Sequence, residues 1–125
     1  MGPTSTLCRQ FFDAVASGGD ALAYCAPDCV MSQNGGKERP VGTALERLLA
    51  TFRGKVPALH YEDPVVVETE NGFVEEHFAC TNLPHGTAFR MPVVVVGVVR
   101  DGKIVSMHEY FDSAAAAPLM AALAG

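Results

Sequence analysis

Residues Met91–Ser113 run MPVVVVGVVRDGKIVSMHEYFDS. Two runs rich in β-branched residues flank Asp101-Gly102, the signal of a tight two-residue hairpin. The second run alternates. Ile104, Ser106, His108 and Tyr110 fall on one side, and Val105, Met107, Glu109 and Phe111 on the other. Either Glu109 or His108 therefore shares a face with large apolar side chains. Met107 and Phe111 need burial more than Ser106 does, which turns Glu109 inward; in the rotated alternative Glu109 is solvated and His108 points in. The first run is apolar on both faces, more than a sheet with one solvated side tolerates. Its outer face is therefore expected to be covered by a second copy of the chain, giving a homodimer.

Upstream of this hairpin, the residues from Leu59 onward also read as strands. Asn71-Gly72 marks a second tight hairpin and Asn82–Gly86 a longer turn, so four strands form an antiparallel meander. Pro64 within the first of them predicts an edge position or a bulge. The preceding segment reads mainly as helix. Leu7, Phe11 and Val15 recur at helical spacing with Cys8 and Phe12 beside them, and Gly18-Gly19 supplies a stop. A short helix fits Asp20–Ala26, with Asp20 as cap and Pro27 as terminator, followed by a brief strand over Cys29–Gln33. The loop NGGKERPVG lacks the spacing of a phosphate loop. Thr43 and Glu46 form the pattern of a capping box ahead of the stripe Leu45, Leu48, Leu49 and Phe52, with an end at Gly54. An Ala-rich helix begun by Pro118 closes the chain. Helices followed by a meander predict an α+β fold in which helices cover one face of a curved sheet.

A chain of 125 residues is read as one domain, residues 1–125, burying roughly two-thirds of its unfolded surface. The net charge of −5 and the scattered Lys and Arg residues argue against nucleic acid and an anionic membrane as partners. The apolar run Val93–Val99 is far shorter than the roughly 20 residues of a spanning helix, and the N-terminus has no basic and apolar signal regions. A cytoplasmic protein is expected. Cys25-x-x-x-Cys29 has no second pair at ligand spacing, so Cys8, Cys25, Cys29 and Cys80 are read as reduced core residues and no metal is expected. Neither a G-x-S-x-G elbow nor a cofactor fingerprint occurs, which points to chemistry without a cofactor.

Three helices followed by a hairpin-rich sheet ending in DGKI…HEYFD resembles the cone-shaped SnoaL-like and ketosteroid-isomerase-like group of the nuclear-transport-factor-two-like superfamily. The likeness spans nearly the whole chain and is most specific in Asp101–Ser113. It implies a curved mixed or antiparallel sheet wrapped on about three N-terminal helices, with a short C-terminal helix, around a pocket for a hydrophobic small molecule. Within the group the pattern is most similar to limonene-epoxide-hydrolase-like proteins. That likeness implies Glu109 as base and Asn34, in VMSQN, as a water ligand. Two positions depart from it. The tyrosine two residues before the Asn is Ser32 here, and the Arg-x-Asp pair falls on His77–Ala79, HFA, so the acid for an epoxide oxygen is missing.

Beside the resemblance stands a physical reading of the same residues. Glu109, with Met107 and Phe111 beside it as substrate-contacting pocket residues, would sit in apolar surroundings that raise its pKa and suit it to proton transfer. His77 either shares that pocket as the acid partner or lies on a solvated strand beside Glu75 and Glu76. Asn34 reads by itself as a turn residue before Gly35-Gly36. Tyr24 either reaches the pocket mouth or packs in the core, and Asp112 reads as a strand end or helix cap, with a catalytic role as the lesser alternative. The expected function is general acid–base catalysis on a hydrophobic small molecule, by isomerisation, cyclisation or dehydration, with Glu109 and His77 as the catalytic pair. Epoxide hydrolysis and non-catalytic ligand binding are the alternatives.

Overall fold

The computed structural model describes residues 2–52 and 59–124. Helix α1 (Pro3–Ser17) leads through a 3-10 turn (Ala21–Tyr24) into β1 (Cys25–Gln33), β2 (Arg39–Pro40) and α2 (Val41–Phe52). Strands β3 (His60–Thr69), β4 (Gly72–Asn82), β5 (Ala88–Arg100) and β6 (Lys103–Phe111) follow, and α3 (Ser113–Ala124) ends the chain. The sheet order is β2-β1-β6-β5-β4-β3, with β3 to β6 an antiparallel meander and β1 parallel to β6. This is the expected α+β cone: an open, mixed, six-stranded sheet with helices on its inner face. The core there joins Cys8 and Phe11 of α1 to Phe73, Val95, Ile104 and Met107 of the sheet and Leu119 of α3.

Helix α1 stops where expected. Gly18 adopts φ 76, the left-handed conformation that glycine enters without strain, and the Gly19 N–H bonds the Ala14 carbonyl. The other helical boundaries move. The segment expected as helix over Asp20–Ala26 is a single 3-10 turn, and Asp20 makes no side-chain cap. Strand β1 already begins at Cys25 and carries Pro27 through a gap in the β1–β6 register between Cys25 and Val30, where a missing donor breaks no ladder bond. Helix α2 begins at Val41, so Thr43 lies inside its first turn and does not cap it. The expected end at Gly54 and the side chains of Leu49 and Phe52 lie outside the described residues. Helix α3 begins at Ser113, not at Pro118, because the Asp112 carboxylate caps it by accepting the Ala114 N–H at 2.9 Å; Pro118 sits within the helix.

Asp101 and Gly102 both have positive φ, 53 and 74, and close the β5–β6 hairpin as expected. The β3–β4 turn is instead Glu70-Asn71, one residue earlier than the Asn71-Gly72 signal, with Thr69 paired to Gly72. Gly72 serves the strand: a Cβ there would meet the Gly97 carbonyl of β5, and a Cβ at Gly97 would meet the Phe73 ring. Two bulges shape the inner face. On edge strand β3, Asp63 (φ 52) and Pro64 oppose the single residue His77, so Pro64 occupies both an edge and a bulge. On β6, Val105 is the extra residue between the Val98–Ser106 and Val99–Ile104 pairs. This second bulge corrects the strict alternation. Ile104 is fully buried in the core with Met107 and does not share the His108 face.

Candidate functional site

The inner face of the sheet, with α2 and α3, walls a cavity of about 480 Å³. Its lining is mainly apolar, including Met31, Leu45, Leu48, Met91, Val93, Phe111 and Leu119, and is broken by His77, Glu109, Gln33 and Tyr61. Lys37, Arg39 and Arg47 bring positive charge to it. An apolar container with a few convergent polar groups is the usual form of a small-molecule site.

Strand β4 supplies the first of those groups. Phe73 must be buried, so by period 2 Glu75, His77, Ala79 and Thr81 follow it inward, and all are buried. Glu75 and His77 are only 2% and 3% exposed, far below what an unpaired ionisable group accepts. They satisfy each other: His77 Nδ1 donates to the Glu75 carboxylate, at 2.7 and 2.9 Å from its two oxygens. With Nδ1 committed to the carboxylate, Nε2 is the ring nitrogen left for a ligand. The imidazole is fixed by aromatic packing, with Tyr61 at 4.3 Å and Phe12 at 5.4 Å between ring centroids. The bulge at Asp63-Pro64 lies directly opposite His77 on β3 and keeps Tyr61, paired with Ala79, on the cavity side.

Glu109 approaches from β6. It pairs laterally with Val95, which pairs with Glu75, so two strand spacings, about 10 Å, separate the backbones of the two glutamates. Glu109 is partly buried and accepts a hydrogen bond from Gln33 Nε2 at 2.8 Å; Gln33 is its register partner on β1. Loss of water around the carboxyl pushes its pKa above the usual carboxylate range, opposed by the Gln33 hydrogen bond and the charge of His77 and reinforced by the charge of Glu75. The Tyr61 hydroxyl is raised as well, first by burial and then by the charges of Glu109 and Glu75. His108 faces away, its Nε2 at 3.4 Å from Glu38. Of the two rotations that the sequence leaves open, the one with Glu109 inward is adopted.

The cavity thus brings together Glu109, His77 and Phe111. The remaining expected site residues lie elsewhere. Met107 is completely buried in the core and is not part of the cavity wall. Tyr24 packs partly buried against the core instead of reaching the cavity. Asn34, at φ 50, is a turn residue whose N–H bonds the Glu109 carbonyl and whose Oδ1 accepts the Phe111 N–H at 2.9 Å. Asn34 thus braces the β6 backbone just after Glu109, by its own N–H and by a side-chain oxygen committed to the Phe111 N–H. Three residues of the site went unread in the sequence: Glu75, Tyr61 and Gln33. Phe73 held the signal for Glu75, because an obligatory core residue two positions earlier sets the face.

Comparison with known proteins follows the same outline. A model of the SnoaL-like domain matches residues 8–107. Among solved structures, a candidate polyketide cyclase from Xanthomonas campestris pv. campestris superposes with a TM-score of 0.77 at 20% identity, covering 97% of this chain and 96% of that one. TerC, crystallised with polyporic acid, gives a TM-score of 0.79 at 16% identity over 99% and 100% of the two chains. A candidate isomerase from Bacillus subtilis gives 0.75 at 14% identity over 96% and 94%. At such identities the likeness establishes the fold alone. A search of curated proteins finds no match. The family model, which spans most of the chain, places this protein in the SnoaL-like family.

Proposed function

We propose that the protein catalyses proton transfer on a hydrophobic, ketone-bearing small molecule, as an isomerase or cyclase that uses no cofactor. The observation that carries this reading is the presence in one apolar cavity of Glu109 and a buried, carboxylate-held His77. The Glu75 carboxylate holds the His77 ring through Nδ1, which aims Nε2–H into the cavity and casts His77 as the acid. Glu109, with its raised pKa, is the base. Glu109 removes a proton from carbon beside a carbonyl, while His77 Nε2–H donates to the carbonyl oxygen as charge develops there. Return of the proton at another carbon gives isomerisation, and attack of the enol on a second carbonyl gives cyclisation. Lys37 and Arg39 in the cavity wall favour substrates with acidic or enolised oxygens. The candidate cyclase and candidate isomerase among the structural neighbours support the same class of chemistry.

The test needs no prior substrate. A panel of aryl and polycyclic ketones is incubated with the protein in deuterated water and exchange beside the carbonyl is followed by NMR. Catalysed exchange that falls about a hundred- to ten-thousand-fold in Glu109→Gln supports the reading. Tight binding of these ketones without exchange would favour the ligand-binding alternative. Epoxide hydrolysis has weaker support, since the Asn34 side chain already bonds the Phe111 N–H.

We further propose a homodimer through the outer sheet face, where Val65, Val67, Val96 and Tyr110 stand exposed together.

A further inference from the structure

On the sheet face opposite the cavity, His60 and Glu62 of β3 and Cys80 of β4 bring three different donor types together, and we propose that they bind a divalent ion of the zinc class. His60 and Cys80 are direct cross-strand partners, and Glu62 follows His60 by two residues and so shares its face. One ligand atom from each, nitrogen, oxygen and sulfur, lies within 4.8 Å of the others, and His60 Nε2 is already 2.7 Å from Glu62 Oε2. A tetrahedral ion with bonds of about 2.0–2.3 Å holds its ligands roughly 3.3–3.8 Å apart. The difference is within reach of the two exposed side chains, His60 and Glu62 at 56% and 44%, while Cys80 is the fixed, buried member.

The donor set selects the metal. Thiolate with imidazole suits zinc and its open-shell analogue cobalt, whereas magnesium and calcium take all-oxygen ligands. Three protein ligands leave a fourth position to water. On binding, the Cys80 thiol gives its proton to solvent and its sulfur bonds the ion; no redox change is involved. Arg90 is the nearby cation. Its charge is offset by Asp63, 2.6 Å from Nη2, and its guanidinium stacks on Phe78 at 3.4 Å while Nε stands 3.7 Å from Glu62. The ion would clip edge strand β3 to β4. Tyr61, between two of the ligands, points to the other face and stacks on His77, so the clip would also brace the cavity wall. Of the exposed valines on this face Val65 comes nearest: it pairs with Glu76, four residues from Cys80 along β4, about 13 Å.

The test is titration of the full chain, freed of metal with a chelator, with Co²⁺ followed by absorption spectroscopy. The expected result is one equivalent bound, with tetrahedral d–d bands and a thiolate-to-cobalt charge-transfer band. Cys80→Ser should abolish the charge-transfer band, and His60→Ala, at an exposed position that leaves the fold intact, should weaken binding by at least about tenfold. Zn²⁺ should displace Co²⁺ and, at equal concentration, raise the Tm of the wild type more than that of His60→Ala. Absence of the charge-transfer band, its survival at full strength and affinity in His60→Ala, or its loss in Cys25→Ser and not in Cys80→Ser would each overturn the proposal.

Discussion

At the scale of single residues, the site rests on three ionisable groups with different fates. Glu109 was readable because Met107 and Phe111 claim the same side of β6. His77 stays undecided by its immediate neighbours, because flanking acids suggest solvent, and only the period of two counted from Phe73 turns it inward. Gln33 and Tyr61 could not be read locally, since only the β1–β6 and β3–β4 registers bring them to their partners. The raised pKa of Glu109 has a sign for stability. Below the ordinary carboxylate range, about 4.3, both folded and unfolded states hold the proton. As pH rises towards the folded value the unfolded state ionises first, so stability falls and then levels. Glu109→Gln should therefore remove this slope and raise the Tm at neutral pH, measured by calorimetry across that range, while the proposed proton-transfer activity is lost. The Glu75–His77 pair predicts strong non-additivity. Removing one partner, as in Glu75→Ala, should cost about 3–5 kcal/mol, whereas replacing both by apolar residues of similar size should cost much less. Urea denaturation of the single and double variants checks this, and additive losses would contradict it.

At the scale of elements, periodicity located the meander, the Asp101-Gly102 hairpin and the cores of α1 and α2. It failed wherever a longer-range contact outweighed a local signal. Pro118 reads as a helix start, yet the Asp112 cap begins α3 five residues earlier. Gly72 reads as a turn residue, yet its lack of a side chain is needed against Gly97. The Val105 bulge, which sends both Ile104 and Met107 into the core, has no marker in a run of β-branched and polar residues. The close approach of β4 and β5 makes a prediction at this scale. Gly97→Ala would push a methyl into the Phe73 ring, an overpacking that should cost about 1–3 kcal/mol, read as a lower denaturation midpoint. Phe73→Leu in the same background should recover part of the loss by making room.

At the scale of the whole molecule, the α+β order follows from helices first and strands last, the cone is what the family resemblance implies, and the family model agrees. The doubly apolar β5 run anticipated the exposed valines that the outer face carries. Val96→Asp should shift the protein towards monomer or aggregate in light scattering, and a monomeric wild type at micromolar concentration would contradict the proposed dimer. The donors of the metal cluster are spread over β3 and β4, His60 to Cys80, so no short spacing motif announced them.

In the proposed function, Glu109 and the Glu75-held His77 act within one electrostatic site. Carboxyl ¹³C NMR of Glu109 against pH tests it without a substrate. The account predicts a midpoint above the ordinary carboxylate range in the wild type, displaced further upward in His77→Ala because a favourable positive charge has been removed. A Glu109 that titrates like a solvated carboxylate and ignores His77→Ala would contradict it.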